Sequence, residues 1–150
     1  MIEKTWQQVI GKMTEIALSG FNEATWGDVW EIESKARKYP LFWLDPHLKS
    51  NTWQQGVLRL RMDLYVMDLV YADESNENSV VSDMVSFGIQ YINHLTDNLS
   101  EYGFYIRKNN QQQITFQTFT EKFDDIVAGA RFEIIVEVPD NGSLCKSIFV

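Results

Sequence analysis

Residues 56–71 read Gly-Val-Leu-Arg-Leu-Arg-Met-Asp-Leu-Tyr-Val-Met-Asp-Leu-Val-Tyr, GVLRLRMDLYVMDLVY. The apolar residues Leu58, Leu60, Met62, Leu64 and Val66 fall on every second position, with Arg59, Arg61, Asp63 and Tyr65 between them. A period of two places alternate side chains on opposite faces of a strand, so this stretch predicts one long strand with an apolar core face. Met67 and Leu69 continue the polar side as apolar residues. The far end is therefore expected to be covered on both faces.

Downstream, Ala72 to Asn78 (ADESNEN) is a polar, acidic loop. Ser79 to Leu99 then carries a helical pattern, with Asn78 or Ser79 as its cap and Asp83 near its positive end. Its polar stripe is narrow: Ser82, Asp83, Ser86, Gln90, Asn93 and Asp97. A helix this apolar needs cover on more than one side, one from the sheet and another from the first helix or a neighbouring subunit. Tyr102 to Arg107 is expected to be a strand, joined by a turn at Lys108 to Gln112 to a partner strand at Ile114 to Phe119. Ile126 to Val138 alternates again through Phe132, Ile134, Val136 and Val138. Pro139-Asp140-Asn141-Gly142 signals a turn, after which Cys145 to Val150 can return as a short strand.

Upstream, Ile2, Trp6, Val9, Ile10, Met13, Ile16 and Ala17 recur at three- and four-residue steps. They predict an amphipathic helix from Ile2 to Leu18, stopped by Ser19-Gly20. Trp26, Trp30 and Ile32 suggest a strand near residues 25–33. Tyr39-Pro40-Leu41-Phe42-Trp43-Leu44-Asp45-Pro46 is bounded by prolines that cannot donate to a ladder, which predicts an edge strand or extended segment. Ser50 to Gly56 is expected to be a turn or loop. The order predicts a single α+β domain over residues 1–150, with an antiparallel sheet and both helices on one face.

The 150 residues carry 13 Lys+Arg against 21 Asp+Glu, a net charge of −8, with 45% hydrophobic residues and one cysteine. That apolar content excludes a disordered chain, and one cysteine excludes an intramolecular disulfide framework. No apolar run is long enough for a membrane helix, and the N-terminus lacks the pattern of a signal peptide. The charge is localised. Met62 to Ile106 contains no Lys or Arg but eight acids, which equal the whole net charge. A basic group lies at Lys35, Arg37 and Lys38, and Arg59 and Arg61 precede the acidic window. The acids form either a solvated face or a surface that repels nucleic acid or meets a basic partner.

Chemistry-bearing motifs are sparse. His47 and His94 are the only histidines, and neither has acids or cysteines at metal-ligand spacing. Cys145 has no oriented base in prospect. Asp124-Asp125 precede the last long strand and read as a turn rather than as ligands for a divalent ion. The sequence therefore predicts no catalytic site, metal or cofactor.

Two stretches carry a family resemblance: the helix opening NSVVSDMVSFGIQYINHL, where Ser82-Asp83 begins an apolar run, and FDDIVAGARFEIIVEV, where Asp125 and Ala128-Gly129 precede the strand Phe132 to Val138. With the order of elements, they make the chain resemble the tail-terminator, tail-completion and neck (head–tail connector) proteins of tailed bacteriophages, with the flavour of those from crAss-like phages of Bacteroidetes. The resemblance implies a tail-terminator-like fold and a structural virion protein, not an enzyme, assembled in the host cytoplasm. It implies a ring of identical subunits between other connector or tail proteins, through which DNA passes without specific binding. Asp73, Glu74 and Glu77 would then face the channel, and Lys35, Arg37, Lys38, Arg59 and Arg61 would meet acids of the next subunit. Two other readings stand beside it. One is a small cytoplasmic protein-binding module, dimeric through the second helix and the YPLFWL segment. The other is a hydrolase or metal enzyme built from Asp124, Asp125 and His94, which would have to converge in one pocket.

Overall fold

The computed structural model describes residues 6–28, 31–32, 37–46, 51–97, 102–107, 114–122 and 125–139. Two helices pack on one face of a seven-stranded sheet, an α+β architecture as the sequence predicts. Helix α1 is Trp6–Ala17, followed by strands β1 (Glu23–Trp26), β2 (Leu41–Pro46), β3 (Thr52–Gln54) and β4 (Val57–Leu69). Helix α2 is Glu77–Asp97, followed by β5 (Tyr105–Ile106), β6 (Phe116–Lys122) and β7 (Ile126–Pro139).

The two longest alternating stretches make the centre of the sheet. β4 and β7 pair antiparallel from Val57↔Pro139 to Leu69↔Val127. Leu60, Met62, Leu64 and Val66 lie opposite Val136, Ile134, Phe132 and Ala130, and all eight are buried beneath the helices. A register slip of one residue would turn this whole set to the other face. β2 and β3 share the outer side of β4, while β5 and β6 share the outer side of β7.

Four expectations are corrected here. β1 runs parallel to β2, so the sheet is mixed. The chain crosses over through residues 27–40 before it re-enters the sheet, and a crossover restores strand direction where a hairpin reverses it. β2 is interior, paired to β1 and β4, because Pro40 precedes the strand and Pro46 ends it, leaving Leu41 to Leu44 free to bond both neighbours. The predicted strand at 25–33 ends at Trp26: Gly27 follows with φ 151°, and residues 31–32 form a helical turn. Finally, β5 and β6 are not each other's partners. Both pair with β7, at residues 136–137 and 126–132, because β7 is long enough to hold two short strands end to end.

The expected loop at 50–56 contains β3, joined to β4 by Gln55 and Gly56, both at positive φ (52° and 75°). Positive φ at both central residues is the hairpin geometry normally signalled by Asn-Gly or Asp-Gly, and Gln in the first place hides it. Helix α2 starts two residues early. Val80 N–H donates to the Asn76 carbonyl at 3.0 Å, making Asn76 the cap position in place of Asn78 or Ser79. The Asn76 side chain accepts from the Tyr71 N–H at 2.7 Å and so ties the loop back to the strand. Residues 2–5, the 108–112 turn and everything beyond Pro139 lie outside the described residues.

The expected cover for the apolar end of β4 is present over Met67 but not over Leu69, which is exposed. On the face away from the helices, Ile32, Leu41, Trp43, Met67 and Val127 form a second buried cluster, with Tyr39, Tyr65 and Phe119 against it. Arg37 holds the crossover that caps this cluster. It donates to the carbonyls of Glu31 and Ile32 at 2.8 and 2.9 Å, pairs with the Glu23 carboxylate at 2.8 Å and lies over the Trp43 ring. Replacing Arg37 with Ala is expected to cost about 1–3 kcal/mol, through freed carbonyls and a lost cation–π contact. Urea denaturation of the monomer measures this, and an unchanged midpoint would mean the clamp is dispensable.

The helices lie side by side, α1 over β1 and β2, α2 over β4 and β7. Between them the buried Tyr91 hydroxyl donates to the Met13 carbonyl at 2.9 Å. Burial pushes this phenol well above its ordinary value of 10. Its neutral form is thus favoured by the fold, so the contribution is fully present below pH 10 and is lost as pH rises through the folded value. Tyr91→Phe is expected to cost about 1 kcal/mol at neutral pH and to flatten the loss of stability above pH 10. Thermal denaturation from pH 7 to 11 tests both effects.

Candidate functional site

The three predicted channel acids gather at one corner, in the turn between β4 and α2. Asp73 and Glu74 are exposed and Glu77 is half-exposed. Ser75 N–H donates to the Asp73 carboxylate at 3.0 Å, and this bond holds the carboxyl below its ordinary value, so it stays ionised. Glu74 sits at φ 60° and its N–H closes the turn onto the Tyr71 carbonyl at 2.8 Å. Glu77 occupies the first turn of α2, where the helix dipole favours an anion. Exposed Leu69 and Tyr71 lie beside these acids.

The predicted basic residues divide. Arg37 is committed to its own chain by the clamp described above, while Lys38 is exposed and Lys35 lies outside the described residues. Arg59 and Arg61 lie near the opposite end of β4 from the acidic loop, roughly 25–35 Å from its last residue along an extended strand. Arg61 is exposed, and Arg59 pairs with Glu137 at 3.4 Å.

Around them the face away from the helices carries an ionic lattice. Glu137, 7% exposed, accepts from the Tyr105 hydroxyl at 2.5 Å and pairs with Arg59 and with Arg107 at 3.5 Å. The bond to Glu137 raises the Tyr105 pKa, since ionising the phenol would set two anions side by side. Asp63, 5% exposed, pairs with Arg131 at 3.1 Å, and Arg131 also reaches Glu133 at 3.2 Å. Burial works against the Arg131 charge, but the hydrogen bond and attraction of Asp63 outweigh it. Sequence alternation places these residues on one face; the pairing in depth depends on the β4–β7 register.

A cleft of about 360 Å³ opens between the helices. Ile16, Ala17, Ser19, Gly20 and Phe21 line one wall, and Phe87, Gln90, Tyr91 and His94 the other. Phe21 meets Phe87 edge-on at 6.1 Å, and the His94 ring nitrogen lies 2.8 Å from the Tyr102 hydroxyl. Helix α2 is covered by the sheet and partly by α1, which leaves Phe87 and Ile89 39% and 43% exposed. No sequence signal marks this cleft, because its walls are brought together only by the packing of α1 beside α2.

Of the residues of the hydrolase or metal-enzyme reading, the two that are described, Asp125 and His94, do not converge. Asp125 precedes β7 beside the N-terminal end of α2, since Val70 N–H bonds the Ile126 carbonyl. His94 lies in the last turns of α2, about 25 Å along the helix. Asp124, His47 and Cys145 lie outside the described residues. Among the described residues no group of three His, Cys, Asp or Glu is placed to hold a metal ion, and no helix is long and apolar enough to cross a membrane. The dimer reading loses one of its two surfaces: in YPLFWL, Leu41 to Leu44 are buried inside the sheet. No protein-family model, curated protein or solved structure matches the chain.

Proposed function

We propose that this chain is a structural subunit of a tailed-phage particle, forming a ring at the head–tail interface or tail end through which DNA passes. The observation that carries the reading is the separation of charge along β4. Exposed Asp73 and Glu74, with half-exposed Glu77 at the start of α2, stand at one end, and at the other Arg61 is exposed beside Arg59, which pairs with Glu137. A closed ring needs two unlike patches on each subunit, and this arrangement provides them. An acidic rim suits a DNA conduit, since a duplex facing like charge slides without being held. The other members of the reading are identical subunits and neighbouring connector or tail proteins, with neither cofactor nor membrane.

The test is assembly. Light scattering and electron microscopy of the purified chain, alone and mixed with products of its neighbouring genes, are expected to give rings or co-complexes. The wild type should not retard duplex DNA, whereas combined Asp73→Lys, Glu74→Lys and Glu77→Lys changes should create salt-sensitive retardation by the assembled form. A monomer at high concentration that binds no portal, connector or tail component would sink the reading.

A further inference from the structure

The sheet ends in strands that pair on one side only. Among the described residues, β1 has only β2 beside it and β6 has only β7. An open strand edge presents a row of backbone N–H and C=O groups, and what fits such a row is another strand. These groups alternate from side to side along a strand. Gly27 N–H donates to the Leu44 carbonyl at 2.9 Å, so Ala24, three residues back, turns its N–H and C=O away from β2. Glu133 N–H donates to the Thr115 carbonyl at 3.0 Å, so Thr118 turns its own away from β7. Neither β1 nor β6 contains a proline that would blunt its edge. Through the successive pairings of the sheet, β1 and β6 run in opposite directions. A second copy set beside the first, with its helices on the same side, therefore brings its β1 antiparallel to β6.

We propose that β1 of one copy adds to β6 of the next, so that the two sheets become one. Side chains set the register. Ala24 packs against the core beneath the helices and Phe116 stacks on Phe132, which puts Ala24, Trp26, Phe116 and Thr118 on the helix face. With Ala24 opposite Thr118, the outward backbone groups of the two residues exchange bonds. Trp26, 38% exposed, then meets Phe116, 45% exposed, an aromatic cross-strand pair. On the other face Thr25 meets Gln117 and Glu23 meets Phe119, so no like charges oppose. Charge completes the match. Lys38 N–H donates to the Glu23 carboxylate at 2.9 Å, which sets exposed Lys38 at the end of the seam, and on the face, where exposed Glu121 of the next copy stands. The two edges lie at opposite ends of the sheet, so the contact is head-to-tail and each subunit gives one edge and receives one. It rests on the reading of the chain as a ring subunit and names the edges through which neighbours join.

Sedimentation of the full chain, alone and with the products of its neighbouring genes, tests it. Thr118→Pro and Ala24→Pro each remove an N–H that faces outward from the sheet, a position where a strand tolerates proline. Each should leave a folded monomer, checked by circular dichroism, and weaken association by about 30-fold or more. A 1:1 mixture of the two should form two-subunit complexes and stop there, one intact β6 edge against one intact β1 edge. Lys38→Glu or Glu121→Lys alone should weaken association about fivefold, and both in one chain should restore it. If a proline variant unfolds, this charge exchange decides the contact, and no restoration overturns it. Assembly lost with Thr118→Pro but kept with Ala24→Pro would mean that β6 pairs with itself, and would overturn the contact. Rings that survive both prolines would overturn it while leaving the proposed function standing. A wild type that stays monomeric in every mixture would sink both.

Discussion

Gly129→Ala is expected to lower stability by on the order of 3 kcal/mol or more. In β7 the backbone passes so close to β4 that a Cβ on Gly129 would lie 1.8 Å from the Val66 carbonyl oxygen and 2.8 Å from the Met67 Cα. Both are main-chain atoms held by the central ladder, so no side chain can turn aside to make room. Relief requires β4 and β7 to part, and that pairing carries the core of the sheet. Such a loss is a large share of a typical domain stability of about 5–15 kcal/mol. Gly11→Ala is the matched control. It sits exposed in α1 with nothing within 4 Å of its added methyl, and should gain about 0.5–1 kcal/mol from helix propensity. Urea denaturation of the two variants decides the point: equal midpoints would refute the close approach of β7 to β4.

Phe132→Ala is expected to cost about 3–5 kcal/mol. The ring is 1% exposed, stacks with Phe116 at 5.3 Å between centroids and fills the space under α2 where Gly88 has no side chain. A Cβ on Gly88 would come 2.3 Å from the Phe132 ring. Gly88→Ala alone should therefore be destabilising, because a clash of about 1–3 kcal/mol outweighs a propensity gain of about 1 kcal/mol. With Phe132→Ala the clash disappears and the gain remains, so the double variant should be more stable than the sum of the singles predicts. Additive effects would mean that Gly88 and Phe132 do not share this space.

Much of this architecture was legible because it is local. The alternation of Leu60, Met62, Leu64 and Val66 is a property of the β4 sequence alone, and so is the helical spacing of Val9, Ile10, Met13 and Ala17. Covering of the far end of β4 could be inferred because Met67 is apolar on a face that is otherwise charged. What misled was non-local. Pro40 and Pro46 argued for an edge strand, but a proline excludes pairing only at its own nitrogen, and Leu41 to Leu44 between them are all buried. Tyr105 and Phe116 looked like opposite sides of one hairpin. Which stretch of β7 each strand joins depends on the length of β7, which holds both end to end on one edge, and that cannot be read from a turn.

The sequence by itself determined the two helices, the two long central strands and the confinement of excess negative charge to residues 62–106, because periodicity and charge order are written residue by residue. Tertiary structure alone decided the parallel β1–β2 pair, the burial of Asp63 and Glu137 in an ionic lattice, the commitment of Arg37 to its own crossover and the cleft between α1 and α2. Each of these depends on residues far apart in the chain meeting in one place, and the free energy of that meeting comes from the packing of the whole sheet.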